Sequence, residues 1–226
     1  MSISGISILI PIISNSNIEF LEDSLKSVIN QSYKNWELII SSYNNFTIDD
    51  IISKINIENI YDIRHIYIKS DNKAYALNTM KSYIKYDHIA LLENGTIWDV
   101  DKLELQIPFI SLYDVVGTNY EYLGDNLNNI SKKNIPVNNL SDYNFFIANP
   151  IINSSVILKA RDAIWDENEK LEDYDLWFKL YISKKSFYNI SQLLCKCRIY
   201  KDNHYNDDTN NLKTKWFNYI NNLHIL

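Results

Sequence analysis

The sequence predicts an α/β protein with a mostly parallel, doubly wound central sheet flanked by helices. Three observations predict it. Four short β-branched apolar runs are separated by three helix-spaced segments in the first half of the chain. The apolar runs are continuous rather than alternating, as in strands buried on both faces. No internal repeat and no linker interrupts the 226 residues, so one domain is expected over 1–226.

The elements follow in order. Ile6–Ile13 reads as a buried strand with Pro11 near its end. A polar loop from Ser14 to Asn17 leads to a helix in which Ile18, Leu21, Leu25, Val28 and Ile29 recur at helical spacing. Asn17 or Ser16 can cap that helix, with Glu19 and Glu22 in its first turn. Trp36–Ser41 is the second strand, Ile48–Ile55 a helix, Ile63–Lys69 the third strand, Lys73–Tyr86 a helix and His88–Leu92 the fourth strand. Val100–Phe109 then reads as a helix and Tyr113–Thr118 as a strand. Residues 119–145 are polar and Asn-rich, either a long loop or a small antiparallel excursion. Asn153–Ile164 reads as a strand then a short helix, Leu171–Lys185 as a helix, Leu193–Tyr200 as a strand and Asn210–Leu223 as a C-terminal helix.

Bulk properties narrow the function. A net charge of −6 argues against a nucleic-acid partner, though a local basic pocket for phosphate remains compatible with it. Cys195 and Cys197 point the same way along a strand, which does not suit a disulfide, and two thiols do not complete a zinc site. Free thiols in a reducing compartment are expected. The N-terminal apolar run lacks a basic leader and is broken by Pro11, and no run reaches membrane-spanning length. A soluble, cytoplasmic protein with no integral membrane segment is therefore expected. With only 4 glycines, no Gly-rich phosphate loop is present, which disfavours an unrelated dinucleotide-binding enzyme.

Four stretches, in order, resemble the inverting family 2-type glycosyltransferases of the GT-A fold. They are the opening strand, helix and second strand through "NWELII", the helix start "KAYALN", the segment "LLENGTIWDVDKLELQ", and "LEDYDLWFKL" followed by "CRIYKDN". The resemblance implies a nucleotide-binding half at 1–105, an acceptor and catalytic half at 106–206 and a terminal helix at 207–226. It implies a nucleotide-sugar donor and a glycan, protein or small-molecule acceptor, with a partner enzyme where the chain is recruited to one.

Site residues carry over one by one. Pro11, Ile12 and Ser14 resemble the wall that meets the base. After the second strand the family has two aspartates, one of which bonds the base; here Ser42-Tyr43-Asn44 stands, so Ser42 can bond a base edge without charge. Lys73 opens a helix, where a lysine favours phosphate, while Asn78 is expected to bond backbone. The family's Asp-x-Asp metal segment is Glu93-Asn94-Gly95 here. Glu93 and Asn94 fall at the donor, and Glu93 is the one carboxylate left to ligate Mg²⁺ or Mn²⁺, so weak metal affinity or none is expected. Asp99 and Asp101 are expected to begin the next helix. Arg198 and Lys201, with Lys73, are the cations that could replace a metal. Tyr200 stands where the family has histidine, and His204 is nearby. Asp173 matches the general base, and the dipole of its helix is expected to lower its pKa and keep it ionised; the alternative is a helix-start acid paired with Lys170 or Lys179. Tyr174, Trp177 and Tyr181 are expected in the core. The resemblance implies inverting transfer to a hydroxyl. The missing carboxylates leave open a catalytically inactive nucleotide- or glycan-binding or scaffold protein.

Overall fold

The computed structural model describes residues 5–14, 16–43, 51, 53, 55, 62–124, 129–132, 135–198 and 209–223. Among them ten strands form one sheet. They are β1 (Ile6–Ile12), β2 (Trp36–Tyr43), β3 (Asp62–Ile68), β4 (His88–Leu91), β5 (Ile97–Trp98), β6 (Val115–Leu123), β7 (Asn129–Lys132), β8 (Asn138–Asn139), β9 (Ile157–Lys159) and β10 (Phe187–Arg198). The order across the sheet is β3-β2-β1-β4-β9-β6-β10-β5, with β7 beside β6 and β8 beside β10. β3, β2, β1 and β4 are mutually parallel. β9 runs against both β4 and β6, so β6 recovers the common direction, and β10 is parallel to β6. The long strands therefore point one way and their carboxyl ends share a rim, as the alternation of elements predicts.

The helices are α1 (Leu21–Ile29), α2 (Lys73–Met80), α3 (Lys102–Gln106), α4 (Glu172–Ile182) and α5 (Thr209–Leu223). Two cores lie on opposite sheet faces. Ile6, Ile8, Ile10, Leu38 and Ile40 pack with Leu21, Leu25 and Val28 of α1 and Leu103 of α3. Leu9 and Ile39, the alternate positions, pack with Ala74, Leu77 and Met80 of α2, Trp177 and Phe178 of α4 and Trp216 of α5. All seven residues of β1 are buried. Each such apolar side chain contributes about 1.5–3 kcal/mol of transfer free energy, which explains why these runs carry no polar face. Gln31, fully buried, donates to the carbonyls of Ser27 and Asp99 and accepts from the Leu103 amide, joining the end of α1 to the start of α3. Those bonds satisfy backbone groups that helix ends leave unpaired.

The structure corrects several sequence expectations. The helix predicted to Tyr86 ends at Met80 and continues only as a 3₁₀ turn to Tyr83. The helix predicted over Val100–Phe109 covers only α3. Residues 160–162 form a turn and 163–164 are irregular, with no helix there. The excursion after Thr118 is antiparallel: β6 runs on to Leu123 and β7 folds back on it. Of the predicted helix 48–55, residues 51, 53 and 55 are helical and the rest lie outside the described residues. Cys195 and Cys197 are free thiols. No helix among the described residues is long and apolar enough to cross a membrane.

Candidate active site

The rim formed by the carboxyl ends of β1, β2, β3 and β4 collects the charged side chains. β4 ends at Leu91, and the chain then turns through Glu93-Asn94-Gly95-Thr96, closed by a bond from the Thr96 amide to the Glu93 carbonyl at 3.0 Å. Gly95 holds φ +90° at the third position of this turn, a conformation that side chains resist. Its amide donates to Ser24 Oγ at 2.9 Å, tying the turn to α1. The glycine that removes the expected second carboxylate is thus the residue that lets the turn form.

Lys73 is the first residue of α2, whose cap is Asn72, accepting from the Tyr75 amide at 2.9 Å. Its ammonium donates to Glu93 Oε1 and lies 2.9 Å from Glu172 Oε1 at the start of α4. The cluster opens to water chiefly at Glu93, whose side chain is 41% exposed against 21% for Lys73 and 12% for Glu172. Burial alone would lower the Lys73 ammonium; Glu172, Glu93 and Asp173 together outweigh burial and hold it well above its ordinary range. Burial would likewise raise Glu93, but Lys73 and the bonds from Asn153 and Ser154 hold its carboxyl below the usual range.

Asp173 behaves in the opposite sense. Burial, then the neighbouring carboxylate of Glu172, then Glu93 push it up to about 7, with Lys73 and the Tyr174 amide pulling the other way. The expectation that the helix dipole keeps it ionised is therefore corrected: desolvation and two like charges outweigh the dipole. The alternative pairing with Lys179 is not observed either, since Lys179 lies 2.7 Å from Asp175.

The acids of α4 are aimed at Lys73 by the preceding loop. Asn78 on α2 donates to the Trp165 carbonyl at 2.9 Å and accepts from its amide at 3.2 Å. Asn72 donates to the Glu167 carbonyl at 2.6 Å. Asn78 thus bonds backbone, as expected, but backbone 87 residues away. Tyr174 and Trp177 are core, and Tyr181 is half-buried, stacked on Phe145.

The other sequence-selected residues divide. Pro11 and Ile12 are buried at the end of β1. Ser14 donates from its amide to Asp71 Oδ1 at 2.6 Å and from its hydroxyl to Asp71 Oδ2, joining the β1 loop to the loop before α2. Ser42 lies 2.8 Å from His65 Nε2. Asn94 donates to the Asn17 carbonyl at 2.6 Å. Arg198 starts beside Gly95 of the β4 turn, and its guanidinium donates to Asp23 Oδ2 at 2.8 Å and stacks on Phe20 of the turn before α1. Asp101 takes the cap position of α3, as expected, whereas Asp99 lies before the helix and accepts from the Asp101 amide at 3.0 Å. Asn44, Tyr200, Lys201 and His204 lie outside the described residues.

Two residues at this site were missed by sequence reasoning. Asn153 Nδ2 donates to Glu93 Oε1 at 3.2 Å, and Ser154 Oγ donates to Glu93 Oε2 at 3.5 Å while accepting from the Glu93 amide at 2.9 Å. The available signal was a polar Asn-Ser-Ser triplet directly before the apolar run Val156–Leu158, which is unusual for buried chain.

The protein donors do not fit a carboxylate-held divalent ion. Glu93 is already bonded by Lys73 and Asn153, Gly95 has no side chain, and the described residues hold no metal-binding group of three or more His, Cys, Asp or Glu.

Residues 7–174 match the profile of a family described as "Glycosyl transferase family 2". The "Uncharacterized glycosyltransferase RC0461" of Rickettsia conorii is 25% identical over 194 residues, 78% of this chain but 31% of that protein. "UDP-Glc:alpha-D-GlcNAc-diphosphoundecaprenol beta-1,3-glucosyltransferase WfgD" of Escherichia coli is 28% identical over 209 residues, 85% of this chain and 77% of that one. The chain thus spans about a third of one relative and about three quarters of the other. Among solved structures, S. aureus TarS 1–349 in complex with UDP superposes with a TM-score of 0.68 at 12% identity, covering 94% of this chain and 65% of that one. That likeness establishes the GT-A fold.

Proposed function

The chain belongs to glycosyl transferase family 2, and on that premise we propose that it moves a sugar from a nucleotide-sugar donor to an acceptor hydroxyl with inversion. Asp173 takes the proton from the hydroxyl. The oxygen attacks the anomeric carbon from the face opposite the bond to the nucleoside diphosphate, and that bond breaks as the new one forms. The observation that carries this reading is the meeting of Lys73, Glu93, Glu172 and Asp173 from α2, the β4 turn and α4 at one rim of the sheet. An acid with a raised pKa at a strand-end crevice is the arrangement expected of a general base. Pro11, Ile12, Ser14 and Ser42 form the wall for the base, and Lys73 supplies the positive charge that the diphosphate needs. With a donor set unsuited to a divalent ion, binding and turnover proceed without one.

The test is incubation with UDP- and GDP-sugars, with Mn²⁺ or with chelator, following hydrolysis and thermal shift. Binding indifferent to chelator, with turnover abolished in Asp173→Asn, is the expected result. Failure to bind any donor would defeat the transferase reading and favour a glycan-binding or scaffold protein.

A further inference from the structure

Asn153 belongs to the short 3₁₀ turn before β9, at the carboxyl end of β4. It is 5% exposed, yet only one end of its amide is used. Nδ2 donates to Glu93 Oε1 at 3.2 Å, whereas no hydrogen bond reaches Oδ1. The two ends are not interchangeable: turning the amide over would set its oxygen against the Glu93 carboxylate, oxygen to oxygen. Glu93 therefore fixes the orientation and leaves an acceptor beside itself. Buried polar atoms are normally satisfied, and this exception, beside the Lys73–Glu93 pair, asks for a partner that the described protein groups do not supply. Ser154, fully buried, holds the same carboxylate and accepts from the Glu93 amide, so the pair is anchored.

An acceptor of this kind takes a hydrogen-bond donor and repels a phosphate oxygen. Next to it Glu93 offers a second acceptor and Lys73 a cation. A nucleotide sugar presents both complements in sequence, a diphosphate for the ammonium and ring hydroxyls for the two acceptors. Resting on the donor site proposed above, we propose that Asn153 reads the sugar of the donor, its Oδ1 accepting from one ring hydroxyl while Nδ2 holds Glu93 for a neighbouring one. Asn153 then sets sugar specificity and takes no part in binding the base or the diphosphate.

Calorimetry tests this with UDP-glucose, UDP-N-acetylglucosamine and GDP-mannose, the bare diphosphates UDP and GDP, and deoxyfluoro analogues of whichever donor binds best. Each analogue replaces one hydroxyl by a group that cannot donate. Beside the analogue at the hydroxyl that Glu93 accepts from, one further analogue is expected to bind the parent about tenfold more weakly than the intact sugar, the usual size of one lost hydrogen bond against a buried partner. In Asn153→Ala that same analogue and the intact donor should bind equally, and the bare diphosphate should bind as it does to the parent. Should Asn153→Ala not fold, Asn153→Ser, too short to reach, is held to the same result. Equal losses for every analogue in parent and variant, or a loss with UDP matching the loss with the UDP-sugar, would overturn the assignment while leaving the transferase reading intact. A parent that binds neither sugar nucleotides nor diphosphates would overturn both.

Discussion

Replacing Asp173 by asparagine should stabilise the protein while silencing it. In the free protein the Asp173 carboxyl sits at about 7 against an ordinary 3.8, because burial, Glu172 and Glu93 all disfavour its charge. A group whose folded pKa lies above its unfolded value favours folding below the unfolded pKa, and that contribution is lost as pH rises through the folded pKa. The window is therefore about pH 4 to 7, and above it the ionised carboxylate is a net burden. A difference of about three pH units amounts to roughly 4 kcal/mol at 1.36 kcal/mol each. The side chain is only half-buried, so water screens part of this, and about 2 kcal/mol is the expected size. For a chain of this length that corresponds to a rise in Tm of roughly 4–8 °C. Differential scanning calorimetry at pH 8.5 should show Asp173→Asn melting higher than the parent by that amount. At pH 5, where both side chains are neutral, the two should melt within about 2 °C of one another. Turnover of the variant should fall at least ~100-fold, the usual share of a general base. A variant that melts lower at pH 8.5, or higher by the same amount at both pH values, would refute the reasoning, since the carboxylate would then carry no charge-dependent strain.

Three further outcomes follow from the same cluster. Glu172→Gln removes the stronger of the two like charges that raise Asp173, so the rising limb of the kcat/KM against pH profile should move to lower pH; an unmoved limb would mean that Glu172 does not set it. Lys73→Met should weaken UDP binding at least tenfold by titration calorimetry and cost stability as well, because it leaves Glu93 and Glu172 without their shared partner. Gly95→Asp restores the carboxylate at the cost of a side chain at φ +90°, so it should lower stability by about 1–2 kcal/mol in urea unfolding; an unchanged midpoint would mean that the turn relaxes to accept it.

The first half of the fold was legible because its strands are buried on both faces and its helices on one. The register of β1 against β2, Ile6 beside Trp36 through Ile12 beside Ser42, follows runs that leave no choice of face. The second half was less legible for identifiable reasons. β9 is three residues long, too short for any period. β10 begins at Phe187, six residues before the predicted start, because the polar Asn189 is buried by donating to the carbonyls of Pro136 and Pro150. At the site, Lys73, Glu93, Glu172 and Asp173 could be found by their motifs. Asn153 and Ser154 could not, because what buries them is a carboxylate 60 residues away in sequence. The ionisation of Asp173 was misread for a similar reason. A rule about helix ends sees only the residue's own helix, whereas desolvation and Glu93, from the β4 turn, act through space.

Charge in the crevice also explains why a raised Asp173 suits the proposed reaction. One ammonium faces three carboxyl groups, so the cluster is net negative even before a donor arrives. A nucleoside diphosphate adds further negative charge, and at separations of a few ångströms each like pair costs on the order of 1–4 kcal/mol in a partly solvated site. Holding Asp173 protonated removes one of those charges while the donor enters, and Lys73 is then free to exchange a carboxylate for a phosphate oxygen. The base must nevertheless be ionised to accept a proton. A pKa near neutrality reconciles the two demands better than a low one would: the protonated form admits the donor, and the proton leaves at little cost before transfer. A low pKa would keep the base ready but would oppose the diphosphate in every encounter. The two like charges around Asp173 therefore serve the chemistry in a way that a strong ion pair at that position would not.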